Sequence, residues 1–513
     1  MPDPYYRDNE LDAVKILENE FVFSKRFNID KENDDSLVLL RCKGLDTLCD
    51  IYFNGILIDS TDNMHRCYEF DVTNLIKSGE NEIKLHFSSP NKYIKALHSI
   101  EPLRETVDPL AGYSYIRKAS CMMGWDWGPR LPDAGIWKNI SLLFVDSDRI
   151  SDIHIIQRHE NGEVFITPLV NTQRNIADIK AVLTAPNGMQ YELIPNAENK
   201  IENPMLWWPN GFGEQNLYIV QIELYENGKK VDSDAKRIGL RSVRLVREKD
   251  EYGESYCHEV NGVRIFAMGA DYIPEDNILN RITKEKTEEI LRHCVMCNFN
   301  TIRIWGGGFY PHDFFFDLCD ELGLLVFFDM MFACMTVPSK QEMLDSIAVE
   351  IKENLIRTRH HASIAVISGN NEIEESIIGE PKQEHKATYI KLFEHMIPDI
   401  IKEVCPYIPY VPSSPSSFGN LIDPTNENYG DCHYWSVWHS SVSSKEYRKH
   451  YFRYLSEFGF QSFPCEKTIN SFTEVSDRNV FSRIMDMHQR SNGATKKIMA
   501  PLADNYLYPS DFG

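Results

Sequence analysis

Two glutamates stand just beyond short apolar runs in the C-terminal half of the chain. Glu372 closes Ser368-Gly369-Asn370-Asn371-Glu372 after the run Ile364 to Val366, and Glu457 lies in Tyr454-Leu455-Ser456-Glu457-Phe458-Gly459. If each run is a buried parallel strand, both carboxyl groups emerge at the strand ends where α/β barrels carry their chemistry. Two carboxyls facing one pocket are the minimum equipment for cleaving a glycosidic bond: one protonates the leaving oxygen and the other attacks or activates water. Each alone has a plainer account, since Glu372 opens Ile373-Glu374-Glu375, an acidic first turn that would complement a helix dipole. Aromatic side chains at neighbouring strand ends favour the chemical account. Trp305 before Gly306-Gly307-Gly308, and His433-Tyr434-Trp435 with Trp438, supply indole faces on which the C–H faces of a sugar stack. Far upstream, Trp125-Asp126-Trp127-Gly128-Pro129 reads as a loop that fixes Asp126, either towards a ligand or as a cap on local amides.

The elements that must position these residues follow two textures. Up to about residue 245 the chain reads as short strands punctuated by Asn54-Gly55, Asn161-Gly162, Asn187-Gly188 and Asn227-Gly228, the pattern of β-sandwiches. The polar stretch Asp146-Ser147-Asp148-Arg149 divides two such groups. Beyond about residue 260, strands at Val263 to Met268, Thr301 to Trp305, Leu324 to Phe328, Ile364 to Ser368, Tyr407 to Val411, Asp431 to Trp435 and Tyr454 to Glu457 alternate with helical patterns such as 284–297, 312–322, 341–359 and 384–404. That is the β/α repeat of a barrel, with Glu372 after its fourth strand and Glu457 at its seventh.

Length and composition agree. At 513 residues, two to four domains are expected. With 54 basic against 76 acidic side chains the net charge is -22, which disfavours phosphate backbones and anionic lipid surfaces as partners. No apolar run is long enough to span a bilayer. Cys294 with Cys297 forms a lone C-x-x-C inside a helical pattern, a weak zinc signal, and no disulfide is implied. Residues 1–10 have neither the basic nor the apolar region of a signal peptide, but Met1 reads as an internal start, so the compartment is left unknown with the cytoplasm weakly favoured.

These motifs together resemble the β-mannosidases of glycoside hydrolase family 2. The likeness is carried by Pro2-Asp3-Pro4-Tyr5-Tyr6 with Asn9-Glu10, by Gly124-Trp125-Asp126-Trp127-Gly128-Pro129, and by Leu206-Trp207-Trp208-Pro209-Asn210-Gly211. It continues through Ile302-Arg303-Ile304-Trp305, Phe332-Ala333-Cys334, Asn370-Asn371-Glu372, Gly430-Asp431-Cys432-His433-Tyr434-Trp435 and Ser456-Glu457-Phe458-Gly459. The resemblance implies a jelly-roll domain over 1–147, an immunoglobulin-like β-sandwich over 148–245, and a (β/α)8 catalytic barrel over 246–513. It implies Glu372 as acid/base and Glu457 as nucleophile of a retaining exo-enzyme acting on terminal β-mannose of oligosaccharides. Asp126 would reach the sugar from the first domain, and Trp125, Arg303, Trp305, Asn371, His433 and Trp435 would bind it, with no metal or organic cofactor. Glu372 is expected to be protonated near neutral pH, its pKa raised by burial and by Glu457. Ile367, Pro311 and Phe328 depart from the usual pattern at positions bearing on fine specificity. Relatives of this kind extend further at both ends, so the barrel is expected to lack its last strand. The alternatives are another family 2 exo-glycosidase (β-galactosidase, β-glucuronidase or exo-β-glucosaminidase) or an inactive carbohydrate-binding fragment.

Overall fold

The computed structural model describes residues 3–30 and 36–508; Pro2 of the opening motif and the terminus at Gly513 lie outside the described residues. The first strand group packs two antiparallel sheets. One has the order Phe21–Ile29, Gly79–Phe87, Cys49–Phe53, Ile56–Thr61, and the other Tyr68–Asp71, Leu37–Cys42, Ile140–Val145. Alternate residues of these strands, among them Val38, Leu40, Ile51, Phe53, Leu85 and Phe87, meet in one apolar core. The second group repeats the plan. Its long hairpins, 150–160 with 163–172 and 217–226 with 229–239, close over Ile166, Leu183, Val220, Ile222 and Ile238.

Turn chemistry sets these hairpins as expected at three sites. Asn54-Gly55, Asn161-Gly162 and Asn227-Gly228 each put both residues at positive φ, the type I′ geometry that matches strand twist. At Asn187-Gly188 only the glycine is at positive φ, so that link is a different turn. The polar divider is more than a spacer. Asp148 is buried and accepts hydrogen bonds from the amides of Arg149, Arg174 and Ile176 and from Thr172 Oγ1, which ties the junction together.

The C-terminal half contains a five-stranded parallel sheet: β1 (Gly269–Tyr272), β2 (Thr301–Ile304), β3 (Leu325–Asp329), β4 (Ile364–Ser368) and β5 (Tyr410–Val411). A parallel pair follows, β6 (Cys432–Tyr434) with β7 (Leu455–Phe458). All five residues of β3 and of β4 are buried, as unbroken apolar strands covered on both faces should be. Helices α1 (Lys284–Met296), α2 (Asp313–Leu322) and α3 (Gln341–Thr358) cover them with Leu291, Phe316, Ile347 and Ile351, and the departing residues Ile367 and Phe328 lie fully inside this core.

Two expectations need correction. The segment expected as the first parallel strand, 263–268, instead gives Val263–Ile265 to a small antiparallel sheet with 243–246 and 257–260. The parallel strand begins only at Gly269, where a Cβ would lie 1.9 Å from the Thr301 carbonyl oxygen; pattern alone could not see that close approach. The single helix expected over 384–404 is interrupted by a π segment, Ile390–Met396, just before Pro398, whose missing N–H breaks the regular ladder. Cys294 and Cys297 are free thiols at the end of α1. No helix among the described residues is long and apolar enough to cross a membrane.

Candidate active site

The ends of the parallel strands and the Trp-Asp-Trp loop enclose a cavity of about 660 Å³. Its wall includes Trp125, Asp126, Trp305, Asn371, Glu372, Trp435 and Glu457, seven of the nine residues singled out from the sequence. The other two, Arg303 and His433, lie behind the carboxylates and hold them.

Glu372 follows β4 with φ 60° and ψ 11°, a left-handed conformation that costs a non-glycine residue about 1 to 3 kcal/mol. The backbone around it is pinned from three sides. Asn371 N–H donates to the Phe332 carbonyl, Glu372 N–H to the Ser414 carbonyl (both 2.9 Å), and Ile373 N–H to Asn370 Oδ1. The result turns the Glu372 side chain away from the helix that follows, with no capping bond to it, so the acidic-first-turn account fails for this residue. Glu374, in the same turn, is fully buried and is held by another segment, accepting from Ser416 Oγ and the Ser417 amide.

Glu372 Oε1 lies 2.6 Å from His433 Nδ1, and the Cys334 thiol donates to Oε2 at 3.1 Å. Glu457 Oε1 accepts from Arg303 Nη1 at 2.6 Å and its Oε2 from the Trp435 indole N–H at 3.0 Å, with His433 Nδ1 3.4 Å away. One oxygen from each glutamate and a His433 ring nitrogen all fall within 4.8 Å of one another. An oxygen pair that close is compatible with the roughly 5 to 5.5 Å carboxyl separation that permits direct displacement by a carboxylate. Arg303 is buried and also donates to Asp329 Oδ2 and Asn371 Oδ1, both at 2.7 Å, so one guanidinium fixes the strand ends on which both glutamates depend.

Here the electrostatics depart from expectation. Burial pushes the Glu372 carboxyl up, but the hydrogen bond and charge of His433 outweigh it, and the group lies below the ordinary carboxylate range. Burial opposes the charge on His433, yet Glu457 and Glu372 raise that imidazole to about 9. The hydrogen-bond network gives the reason. Ser414 Oγ donates to Asp431 Oδ2, so it accepts from His433 Nε2, which must carry a hydrogen. Nδ1 then faces Glu372 with the second proton, and the expected acid proton is held between the two residues, mainly on the imidazole.

Asp126 belongs to a loop closed by reciprocal backbone bonds between Trp125 and Gly128. Among the described residues no hydrogen bond engages its carboxylate, and its nearest recorded charged partner is His439 at 4.0 Å. A local cap is therefore not its role. Burial first, then Asp108 and Glu457, raise it to about 6. Trp125 and Trp127 pack edge-on against Trp305, at 4.7 and 5.4 Å between centroids, docking the loop on the end of β2. Gly307 makes room for that ring, since a Cβ there would lie 1.8 Å from the indole. Trp305 itself is only 5% exposed, so it is chiefly a docking residue.

Several wall residues were missed from the sequence. Asp271, at the end of β1, is 25% exposed and pairs with Arg303 at 3.2 Å; placing the first strand correctly would have found it. Arg490 lines the cavity and is held by Glu10 at 2.7 Å, while Glu10 also accepts from the amide of Arg130 at 3.1 Å, in the same segment as Asp126. No local signal marks that tie.

The first 138 residues match the glycosyl hydrolase 2 galactose-binding domain-like family, and residues 149–241 match glycosyl hydrolases family 2. The whole chain is 31% identical to β-mannosidase B of Aspergillus oryzae and, again at 31%, to that of Emericella nidulans. It spans 64% of the length of each of these relatives. The crystal structure of a β-D-mannosidase from Dictyoglomus thermophilum superposes with a TM-score of 0.92 at 32% identity, covering 100% of this chain and 65% of that one. An exo-chitosanase from Amycolatopsis orientalis shares the fold at a TM-score of 0.63 and 17% identity, over 93% of this chain and 55% of that one. Two domains of glycoside hydrolase family 2 thus stand in tandem over residues 1–138 and 149–241, and the likeness to β-mannosidases runs from the first residue to the last.

Proposed function

We propose that this chain carries the active site of a retaining exo-β-mannosidase that removes terminal β-linked mannose from oligosaccharides. The observation that carries the reading is the approach of the Glu372 and Glu457 oxygens to within 4.8 Å inside one cavity. Glu457, oriented by Arg303 and Trp435, attacks the anomeric carbon, and the shared proton of Glu372 and His433 passes through Glu372 to the leaving oxygen. Glu372, again a carboxylate, then takes a proton from water, which displaces Glu457 from the glycosyl-enzyme. Asp126 and Asp271 accept from sugar hydroxyls, Asn371 donates its amide, and Trp125 and Trp435 offer ring faces. The β-mannosidase names of the relatives support mannose as the sugar.

The same reading covers the architecture. Residues 1–147 form the sugar-binding-like sandwich, 148–245 the immunoglobulin-like one, and β1 to β7 belong to a (β/α)8-type barrel. In support, β1 and β7 are not hydrogen-bonded to each other and flank a cleft of about 680 Å³ lined by Phe266, Met268, Leu455 and Phe458.

A panel of aryl β-glycosides tests the assignment: hydrolysis of the mannoside is expected, and a preference for galactoside, glucuronide or glucosaminide would overturn the specificity. Glu457→Ala should abolish turnover of every substrate, whereas Glu372→Ala should spare activated leaving groups and, with azide, yield a β-glycosyl azide. A β-azide product from Glu457→Ala would reverse the two roles.

A further inference from the structure

The arrangement that stores a proton between His433 and Glu372 has the composition of a metal site. Glu372, His433 and Glu457 present one oxygen, one nitrogen and one oxygen within 4.8 Å of one another, the one such group among the described residues. The Cys334 thiol adds a sulfur 3.1 Å from Glu372 Oε2 and lines the same cavity. A mixed nitrogen, oxygen and sulfur set suits zinc-class divalent cations, whose tetrahedral donors stand roughly 3.3 to 3.7 Å apart. The 2.6 Å from His433 Nδ1 to Glu372 Oε1 and the 3.4 Å from Nδ1 to Glu457 Oε2 are each within about 1 Å of that spacing.

Two further features favour a cation. Beside the cluster the Arg303 guanidinium is shared among the carboxylates of Asp271, Asp329 and Glu457, with Asp431 behind Ser414. The far nitrogen of His433 is fixed by Ser414 Oγ, itself anchored on Asp431, as the second nitrogen of a metal-bound histidine ordinarily is.

We propose that Zn²⁺ binds here in place of the shared proton, held by Glu372, His433, Glu457 and the Cys334 thiolate, and so shuts the site by occupying both glutamates. Bonds form from zinc to Nδ1, to one oxygen of each glutamate and to Sγ. The proton between Nδ1 and Oε1 and the thiol proton leave to solvent, and nothing is oxidised or reduced. This site depends on the geometry alone and not on the proposed glycosidase activity.

The test is titration of the 513-residue chain with Zn²⁺ against a chromophoric chelator, and with Co²⁺ as a spectroscopic substitute. About one equivalent should bind at this site, roughly tenfold or more weaker in His433→Asn and in Glu372→Gln. Co²⁺ should give a thiolate charge-transfer band that disappears in Cys334→Ser. Zinc affinity unchanged in both His433→Asn and Glu372→Gln, or a cobalt band that is absent or survives in Cys334→Ser, would overturn the proposal. Using two ligand variants guards against one that fails to fold. A chain that binds zinc here but hydrolyses no glycoside would sink the proposed activity and leave this site standing; an active chain without the zinc site would do the reverse.

Discussion

Replacing His433 by asparagine tests who holds the acid proton. The side-chain amide of the His433→Asn variant keeps a polar partner beside Glu372 but has no proton to lose. In the native protein the imidazole rises from 6.5 to about 9 between Glu457 and Glu372, equivalent to roughly 3 kcal/mol. Because the folded value is raised, that stabilisation is fully present below about pH 6.5 and is lost as pH rises through about 9. The difference in unfolding free energy between native and variant should therefore be largest near pH 6 and should close above about pH 9. For catalysis, the proton of the variant must sit on Glu372 alone, which burial pushes up while the Cys334 hydrogen bond and the Arg303 charge hold it down. The alkaline limb of kcat/KM, measured on an aryl β-mannoside with a poor leaving group, should fall by roughly 2 pH units or more. A mannoside whose leaving group needs no proton should keep its limb. A variant whose limb stays near pH 9, with a stability difference independent of pH, would show that the proton is not stored at this pair.

Three further outcomes rest on particular contacts. Asp126→Asn should lower kcat/KM by roughly 1.5 to 3 kcal/mol. It should also raise Tm at about pH 7 and not at about pH 3.5, because a carboxylate raised to about 6 destabilises the fold only when charged; unchanged kinetics with lowered Tm would return Asp126 to a capping role. Glu10→Ala removes both the Arg490 and the Arg130 contacts, so KM should rise with little change in kcat, and a double-mutant cycle with Arg490→Ala in urea denaturation should give a coupling of about 1 kcal/mol or more. Glu350 on α3, fully buried, accepts from Arg117 at 2.6 and 2.9 Å, from Asn63 and from Tyr310; Glu350→Ala should cost about 3 to 5 kcal/mol in urea denaturation by leaving Arg117 buried and unpaired.

The sequence by itself determined the elements whose physics is local. The run Ile364 to Ser368 could only be a strand covered on both faces, and it is β4 residue for residue. Asn-Gly pairs announced the type I′ hairpins because few other pairs accept two positive φ values. The order of strands brought Glu372 and Glu457 to one end of the parallel array without any distance being known. What the tertiary structure alone decided are quantities set by contacts between distant segments. The proton lies mainly on His433 because an imidazole 61 residues away is wedged between two carboxylates, and a pKa is fixed by the groups around a site, not by its neighbours in sequence. Arg303 turned out to hold the carboxylates from behind, and Glu10 reaches an arginine 480 residues downstream. The first parallel strand starts at Gly269, since only the packed backbone of Thr301 shows why no side chain fits there. Periodicity reports which face of an element is buried; which groups then meet, at what distance and in what charge state, is settled by the packing of the whole chain.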